Sequence, residues 1–218
     1  MIVVVDYGAG NLASVANALD RIGAPVTVTH DPDVIRSAAG VIVPGVGAAE
    51  DTMKHLQSLE LTDVIREVIG RETPYLGICM GMQVLLTRSF EGGEHQCLDV
   101  IPGSVYRLPD GLPIPHMGWN QVRQQGIHPL FAGIPDDTDF YFVHSFYVQP
   151  DDPAWSGGVT EYGHQFTSAV CRGSVMGTQF HPEKSGHWGL RLLENFVAIV
   201  SDGLEARSVA VDAHHSGG

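Results

Sequence analysis

Gly77-Ile78-Cys79-Met80-Gly81 sets a thiol between two glycines, directly after an apolar run and ahead of residues with helical spacing. A reactive side chain on such a strand-to-helix turn is a nucleophile elbow. Its glycines leave room for a tight backbone turn, and the first amides of the following helix point toward the sulfur. An ordinary cysteine ionises near pH ~8.5, so this setting is expected to raise the thiolate fraction at neutral pH. The plain alternative for any single cysteine is a buried core residue. Cys97 and Cys171 lack the flanking glycines and keep that plain reading.

A thiol nucleophile needs a base, and Gln179-Phe180-His181-Pro182-Glu183-Lys184-Ser185 supplies an imidazole and a carboxylate two residues apart at the end of a predicted strand. In extended chain that spacing turns both side chains to one face, so Glu183 can hold the orientation of His181 and stabilise its charged form. Cys79, His181 and Glu183 then have the logic of a catalytic triad. Pro44-Gly45-Val46-Gly47 adds a third part, because a glycine turn after an apolar strand can point backbone amides into a cleft and serve as an oxyanion hole. Without the elbow, the His–Glu pair reads as a surface pair and the glycine turn as an ordinary loop.

The elements that must carry these parts follow from hydrophobic period. Residues 2–6, 26–29, 41–43 and 75–78 read as buried strands. Leu12, Val15, Leu19 and Ile22 share a helical face, as do Leu61, Val64, Ile65, Val68 and Ile69. A short helix is expected after Pro32, capped by Asp31 or Asp33, and Met82, Leu85 and Leu86 continue a helix beyond the elbow. From about residue 100 the pattern changes to short ribbon-like strands near 104–108, 139–143, 166–172 and 175–179. An amphipathic helix over about 186–200 closes the core. The βαβα order predicts an α/β fold with a mixed, mainly parallel central sheet, helices on both faces and an antiparallel ribbon portion. One domain over residues 1–200 and a flexible tail over 201–218 complete the expected organisation.

Composition narrows the function classes. The 218 residues are 44% hydrophobic and only 17% charged, against roughly 25% charged in average soluble domains, which suits a compact enzyme and not a disordered chain. Twelve Lys and Arg against twenty-five Asp and Glu give a net charge of −13, which repels a phosphate backbone, so no nucleic-acid partner is expected. The first apolar run stops at Asp6 and has no basic flank, so the sequence predicts no signal peptide, no membrane span and a cytoplasmic location. Three widely spaced cysteines fit neither a disulfide framework nor a CxxC site, and the eleven histidines form no HExxH. No metal and no cofactor are expected.

Taken together, Asp6-Tyr7-Gly8-Ala9-Gly10-Asn11, Pro44-Gly45-Val46-Gly47, Gly77-Ile78-Cys79-Met80-Gly81-Met82-Gln83, His116-Met117-Gly118-Trp119-Asn120 and the segment 179–185 resemble the class I (triad-type) glutamine amidotransferases over about residues 1–200. Within that class they are most similar to the glutaminase subunits of imidazole glycerol phosphate synthases. The resemblance implies a flavodoxin-like fold and L-glutamine as substrate, with Cys79 as nucleophile, His181 and Glu183 completing the triad, and Val46 and Met80 as oxyanion donors. It assigns glutamine recognition to Gly47, Gln83, Glu91, Ser145 and Phe146. It also implies ammonia transfer to a separate (β/α)8 cyclase subunit in a 1:1 heterodimer, with Trp119, Asn120 and Lys184 at the interface. For Trp119 a core position is the alternative. Ala48-Ala49-Glu50 and the segment 88–93 depart from the family pattern.

Three rival readings stand beside this one. Gly8-Ala9-Gly10-Asn11-Leu12-Ala13 matches a dinucleotide-binding G-x-G-x-x-A, with Asp31 near the ribose-binding distance. A stand-alone cysteine hydrolase, or a non-catalytic relative, is the second. The third is a glutaminase serving a different ammonia-dependent synthase.

Overall fold

The continuous apolar runs of the first strands put apolar side chains on both faces, and the chain supplies cover with a helix after each of these strands. The computed structural model describes the backbone of residues 1–215 and the side chains of residues 1–203. Its first half runs β1 (Ile2–Val5), α1 (Leu12–Arg21), β2 (Val26–Thr29), α2 (Pro32–Arg36), β3 (Gly40–Gly45), α3 (Ala49–Ser58), α4 (Leu61–Gly70), β4 (Tyr75–Cys79) and α5 (Met80–Gln83). The second half contains β5 (Leu86–Ser89), β6 (His95–Gln96), β7 (Ile101–Arg107), β8 (His116–Gln124), β9 (Thr138–His144), β10 (Phe146–Pro150), β11 (Ser156–Glu161), β12 (Gln165–Arg172), β13 (Val175–Thr178) and α6 (Gly186–His215). No helix among the described residues is long and apolar enough to cross a membrane.

The strands β2-β1-β3-β4-β13 form a parallel sheet in that order, extended on the far side by the antiparallel β12, β10 and β7 and then by β5 and β6. A second layer of ribbon is built from β8, β9 and β11. Successive side chains leave opposite faces of the parallel strands. Ile2, Val4, Ile42, Leu76 and Ile78 pack toward α1 and α6, meeting Val15, Leu19, Leu193 and Phe196. Val3, Val5, Val41, Val43 and Tyr75 face α2, α3 and α4, meeting Ile35, Met53, Leu56, Val64 and Val68. Each such fully buried aliphatic side chain contributes about 1.5–3 kcal/mol.

Three expectations need correction, and one helix joins the elements read from the sequence. The helix after the elbow is a single turn, because Leu85 and Leu86 are drawn into the core and Leu86 opens a strand that pairs with Ile101 of β7. The thiol therefore sits beside one helical turn, not at the positive end of a long dipole. Helix α3 went unread, since its buried face is only Ala49, Thr52, Met53 and Leu56. The segment 181–183 is not extended, because Pro182 opens a 3-10 turn over Pro182–Lys184 that begins after His181. Helix α6 does not stop near Val200 but runs to His215, where Leu204, Glu205, Ala206 and Arg207 have high helix propensity despite the fading apolar period. The expected mobility of the last residues, 216–218, lies outside the described residues.

Candidate active site

Register explains why three distant motifs meet. Gly45 of β3 pairs with Cys79 of β4, and Thr178 of β13 pairs with Ile78 on the other side. The glycine turn, the elbow and the histidine segment therefore emerge side by side from the C-terminal ends of three adjacent parallel strands, where open α/β sheets bind their ligands.

The elbow is held by close backbone contacts that only glycine allows. A Cβ on Gly77 would lie 2.3 Å from the Gly81 oxygen, and one on Gly81 would lie 1.7 Å from the Val43 oxygen. The Tyr75 hydroxyl donates to the same Gly81 oxygen at 2.9 Å and pins the turn from below. Cys79 itself takes φ 53° and ψ −107°, a backbone state that costs a non-glycine residue about 1–3 kcal/mol and persists only where its surroundings enforce it. Its side chain is 6% exposed. Cys97 and Cys171 are also buried, and burial alone pushes their thiols up to about 11 and about 12.

His181 and Glu183 meet through the turn. His181 Nδ1 donates to Glu183 Oε1 at 2.7 Å, with both side chains fully buried. Burial acts against the charged imidazole, but the Cys79 sulfur and the Glu183 carboxylate outweigh it and raise His181 to about 9. Burial likewise opposes the Glu183 charge, and the bonds from His181 and Asn11 prevail, holding the carboxyl below its usual range. His181 Nε2, on the Cys79 side, has no partner in full hydrogen-bond geometry, as is common in catalytic groups before substrate tightens the site. Ser185 fixes the turn to the ribbon: its hydroxyl donates to the His181 oxygen at 2.7 Å and accepts from the Tyr141 amide at 2.9 Å.

Val46, Gly47, Cys79, Met80, Gln83, Glu91, Ser145 and Phe146 all line one cavity of about 210 Å³, together with Val143 and His144. Gly47 adopts φ +103° in open space, which the turn requires. Gly45 is a glycine for room instead, since a Cβ there would lie 2.2 Å from the Tyr7 hydroxyl. Met80 is the first residue of α5, so its amide is among those with no acceptor inside the helix. Gln83 Nε2 donates to the Phe146 oxygen and to Gln179 Oε1, both at 3.0 Å, leaving its own buried Oε1 without a partner. The Ser145 oxygen already accepts from the Leu108 amide at 2.9 Å. Glu91 also has a structural role, since its Oε2 accepts from the Ala49 amide at 2.9 Å and so caps α3, whose N-cap residue Ala48 has no side-chain acceptor. Burial, the largest influence on Glu91, raises its pKa.

The three surface candidates separate. Trp119 is 57% exposed, which removes the core alternative, and Lys184 is exposed as well. Asn120 is engaged internally, its Nδ2 donating to His116 Nε2 and the Glu161 oxygen and its Oδ1 accepting from the Gln121 amide. The dinucleotide motif is likewise occupied. Asp31 accepts from the amides of Asp33 and Val34 as the cap of α2, and Asn11 reaches the triad.

Asn11 is a site residue that the sequence reading left without a role. It adopts φ 79° ahead of α1 and does not cap that helix. Its Nδ2 donates to Glu183 Oε1 at 2.5 Å and lies 3.5 Å from His181 Nδ1. Gln179 is a second, with Nε2 at 3.5 Å from Cys79 Sγ. An asparagine at a left-handed helix start that makes no cap was the available signal for Asn11. None marked Gln179 beyond its place in the motif.

Residues 3–200 match the family described as glutamine amidotransferase class-I. The chain belongs to this amidotransferase family. It is 54% identical over 196 residues to "Imidazole glycerol phosphate synthase subunit HisH" of Dehalococcoides mccartyi strain CBDB1, covering 90% of this chain and 96% of that one. A protein of the same description from Moorella thermoacetica is also 54% identical, over 91% of this chain and 95% of its own. Among solved structures, the amidotransferase fold here resembles one described as a glutamine amidotransferase, with TM-score 0.73, 19% identity and 92% of this chain covered against 100% of that one. PurLQS from Thermotoga maritima gives TM-score 0.72 at 17% identity, covering 91% of this amidotransferase and 98% of the matched chain.

Proposed function

We propose that this amidotransferase is the glutaminase subunit of an imidazole glycerol phosphate synthase in histidine biosynthesis, and that Cys79, His181 and Glu183 are its catalytic residues. The observation that carries the reading is the convergence, at the ends of β3, β4 and β13, of the elbow and the glycine turn on one cavity and of the buried His181–Glu183 pair on the Cys79 sulfur. In the reaction, His181 Nε2 takes the thiol proton and the sulfur attacks the side-chain carbonyl carbon of glutamine. The amides of Val46 and Met80 receive the oxyanion. His181 returns the proton to the departing nitrogen, ammonia leaves, and a glutamyl thioester remains. His181 then takes a proton from water, which attacks the thioester, and the sulfur leaves with its electron pair and recovers the proton. Glu183, steadied by Asn11, keeps the imidazole oriented throughout. Gln83 Oε1 and the free oxygen of Glu91 are the acceptors offered to the substrate's donors, and Gly47, Ser145 and Phe146 complete the recognition surface.

The synthase that takes this ammonia is a separate (β/α)8 cyclase subunit, bound 1:1 in the cytoplasm, a reading supported by the likeness to the HisH subunits. Exposed Trp119 and Lys184 meet it, whereas Asn120 supports that face from within. The cyclase switches the glutaminase on by completing the oxyanion hole. One missing donor costs ~100- to ~1,000-fold in kcat, so activation appears in kcat more than in KM. Steady-state glutaminase assays with and without the cyclase and its nucleotide substrate test this. Lys184→Ala and Trp119→Ala should blunt the activation. Equal kcat under all conditions contradicts the gating and leaves the Cys79 assignment standing, whereas activation by a different synthase only contradicts the choice of partner.

A further inference from the structure

Among the described residues, the Cys79 sulfur faces one hydrogen-bond donor besides His181, and it comes from a side chain to which the triad assigns no work. Gln179 is fully buried, and its Nε2 lies 3.5 Å from Cys79 Sγ. We propose that Gln179 is a further catalytic residue, which donates an N–H to the sulfur and stabilises its negative charge both as the attacking thiolate and as the leaving group of the thioester. The inference rests on Cys79 being the nucleophile.

The direction of the Gln179 amide is forced by its neighbours. The Phe146 carbonyl oxygen can only accept, and it faces Gln83 Nε2 at 3.0 Å and His144 Nδ1 at 2.8 Å. Gln83 must therefore turn its amide nitrogen to Phe146, and that nitrogen also reaches Gln179 Oε1 at 3.0 Å. With its oxygen held there, Gln179 has only its nitrogen left for the sulfur. A flipped Gln179 would set two amide nitrogens face to face and an amide oxygen against sulfur, leaving buried donors unmet at about 1–3 kcal/mol each.

The same order propagates outward. His144 Nδ1 carries the proton, so its Nε2 accepts from His116 Nδ1 at 3.0 Å, and His116 Nε2 accepts from Asn120 Nδ2 at 3.2 Å. Both imidazoles must be neutral for this chain to hold, and burial pushes His144 down to about 3 and His116 to about 4. Two runs of bonds thus meet at the Phe146 oxygen: Asn120, His116 and His144 donate in turn toward it from β8, and Gln83 donates both to it and to Gln179, which donates to the nucleophile.

In catalysis no extra reactant is required. The sulfur's charge passes to the substrate oxygen on attack and returns to sulfur when water displaces it, and a donor on sulfur favours the return. A hydrogen bond to a charged group of this kind is worth about ten- to a hundredfold in rate. The test is alkylation of Cys79 by iodoacetamide, followed by peptide mapping, in the wild-type complex, Gln179→Met and Gln179→Glu, alongside glutaminase kinetics. Gln179→Met keeps the volume without the donor, and Gln179→Glu keeps the acceptor for Gln83. Both variants are expected to lower the Cys79 alkylation rate and kcat by ten- to a hundredfold with KM nearly unchanged, while Cys97 and Cys171 stay unmodified and report an intact fold. If Gln179→Met exposes those two cysteines, Gln179→Glu alone decides. Wild-type rates in the intact variants, or a change confined to KM, would overturn the role of Gln179 and leave the Cys79 reading standing. Failure of wild-type Cys79 to react ahead of Cys97 and Cys171 would overturn both.

Discussion

Replacing Asn11 by glycine isolates one hydrogen bond to the triad. Position 11 has φ 79°, which glycine adopts freely and alanine does not, so Asn11→Gly removes the side chain without forcing the backbone. What is lost is the bond from Nδ2 to Glu183 Oε1, the same oxygen that accepts from His181 Nδ1. Glu183 Oε2 has no partner, so the buried carboxylate would keep the His181 bond as its one side-chain donor. A bond to a charged buried group contributes about 1.5–3 kcal/mol, and ~1.4 kcal/mol is tenfold in rate. If Glu183 acts through the orientation of His181, kcat/KM should fall by about ten- to a hundredfold. The acid limb of its pH profile should move up, because Glu183 loses a group that holds its pKa down. Asn11→Asp should be worse, since two adjacent carboxylates cannot both stay ionised. The assay is steady-state glutamine hydrolysis by the complex across pH. Wild-type kcat/KM with an unmoved acid limb in Asn11→Gly would refute the reasoning.

Other consequences test the scaffold. Gly81→Ala drives a Cβ to 1.7 Å from the Val43 oxygen and should cost at least ~3 kcal/mol in denaturant unfolding; a loss under ~1 kcal/mol would show that the elbow can relax. His181, raised to about 9, adds stability that is complete below its unfolded value near ~6.5 and is lost as pH rises toward 9, while the lowered Glu183 adds stability that fades as pH falls through the carboxylate range. The difference in Tm between the wild type and a His181→Gln/Glu183→Gln variant should therefore shrink above pH ~6.5, and a difference that grows toward pH 9 would contradict it. Truncation after Asp202 should leave Tm and glutaminase activity nearly unchanged, and a loss of several degrees would show that the end of α6 packs on the domain.

What was legible in the sequence was whatever a few adjacent residues dictate. The elbow needs glycines at 77 and 81 for contacts within its own turn and with the neighbouring strand, so its signature is local. The central strands β1 and β3 announced themselves as short β-branched runs buried on both faces, whereas the edge strand β2, whose sequence reads the same way, is only partly covered. Partners far along the chain left no such mark. Asn11 meets a carboxylate 172 residues away and Gln179 a thiol 100 residues away, and only the register of β1, β3, β4 and β13 brings them together. Helix α3 was hidden because its cap comes from Glu91, 42 residues downstream, and not from the residue before it. The single-turn α5 was overextended for the opposite reason: Leu85 and Leu86 fit a helical period, but strand pairing with β7 claimed Leu86. The end of α6 has helix propensity without an apolar stripe, and a search for periodicity passes over it.

The central claim is that Cys79 makes ammonia from glutamine for a separate synthase. Its most direct test is Cys79→Ala in the reconstituted complex, assayed once with glutamine and once with added ammonia. Loss of glutamine-dependent synthesis with ammonia-dependent synthesis retained is the predicted result. Glutamine-dependent turnover at the wild-type rate would contradict it.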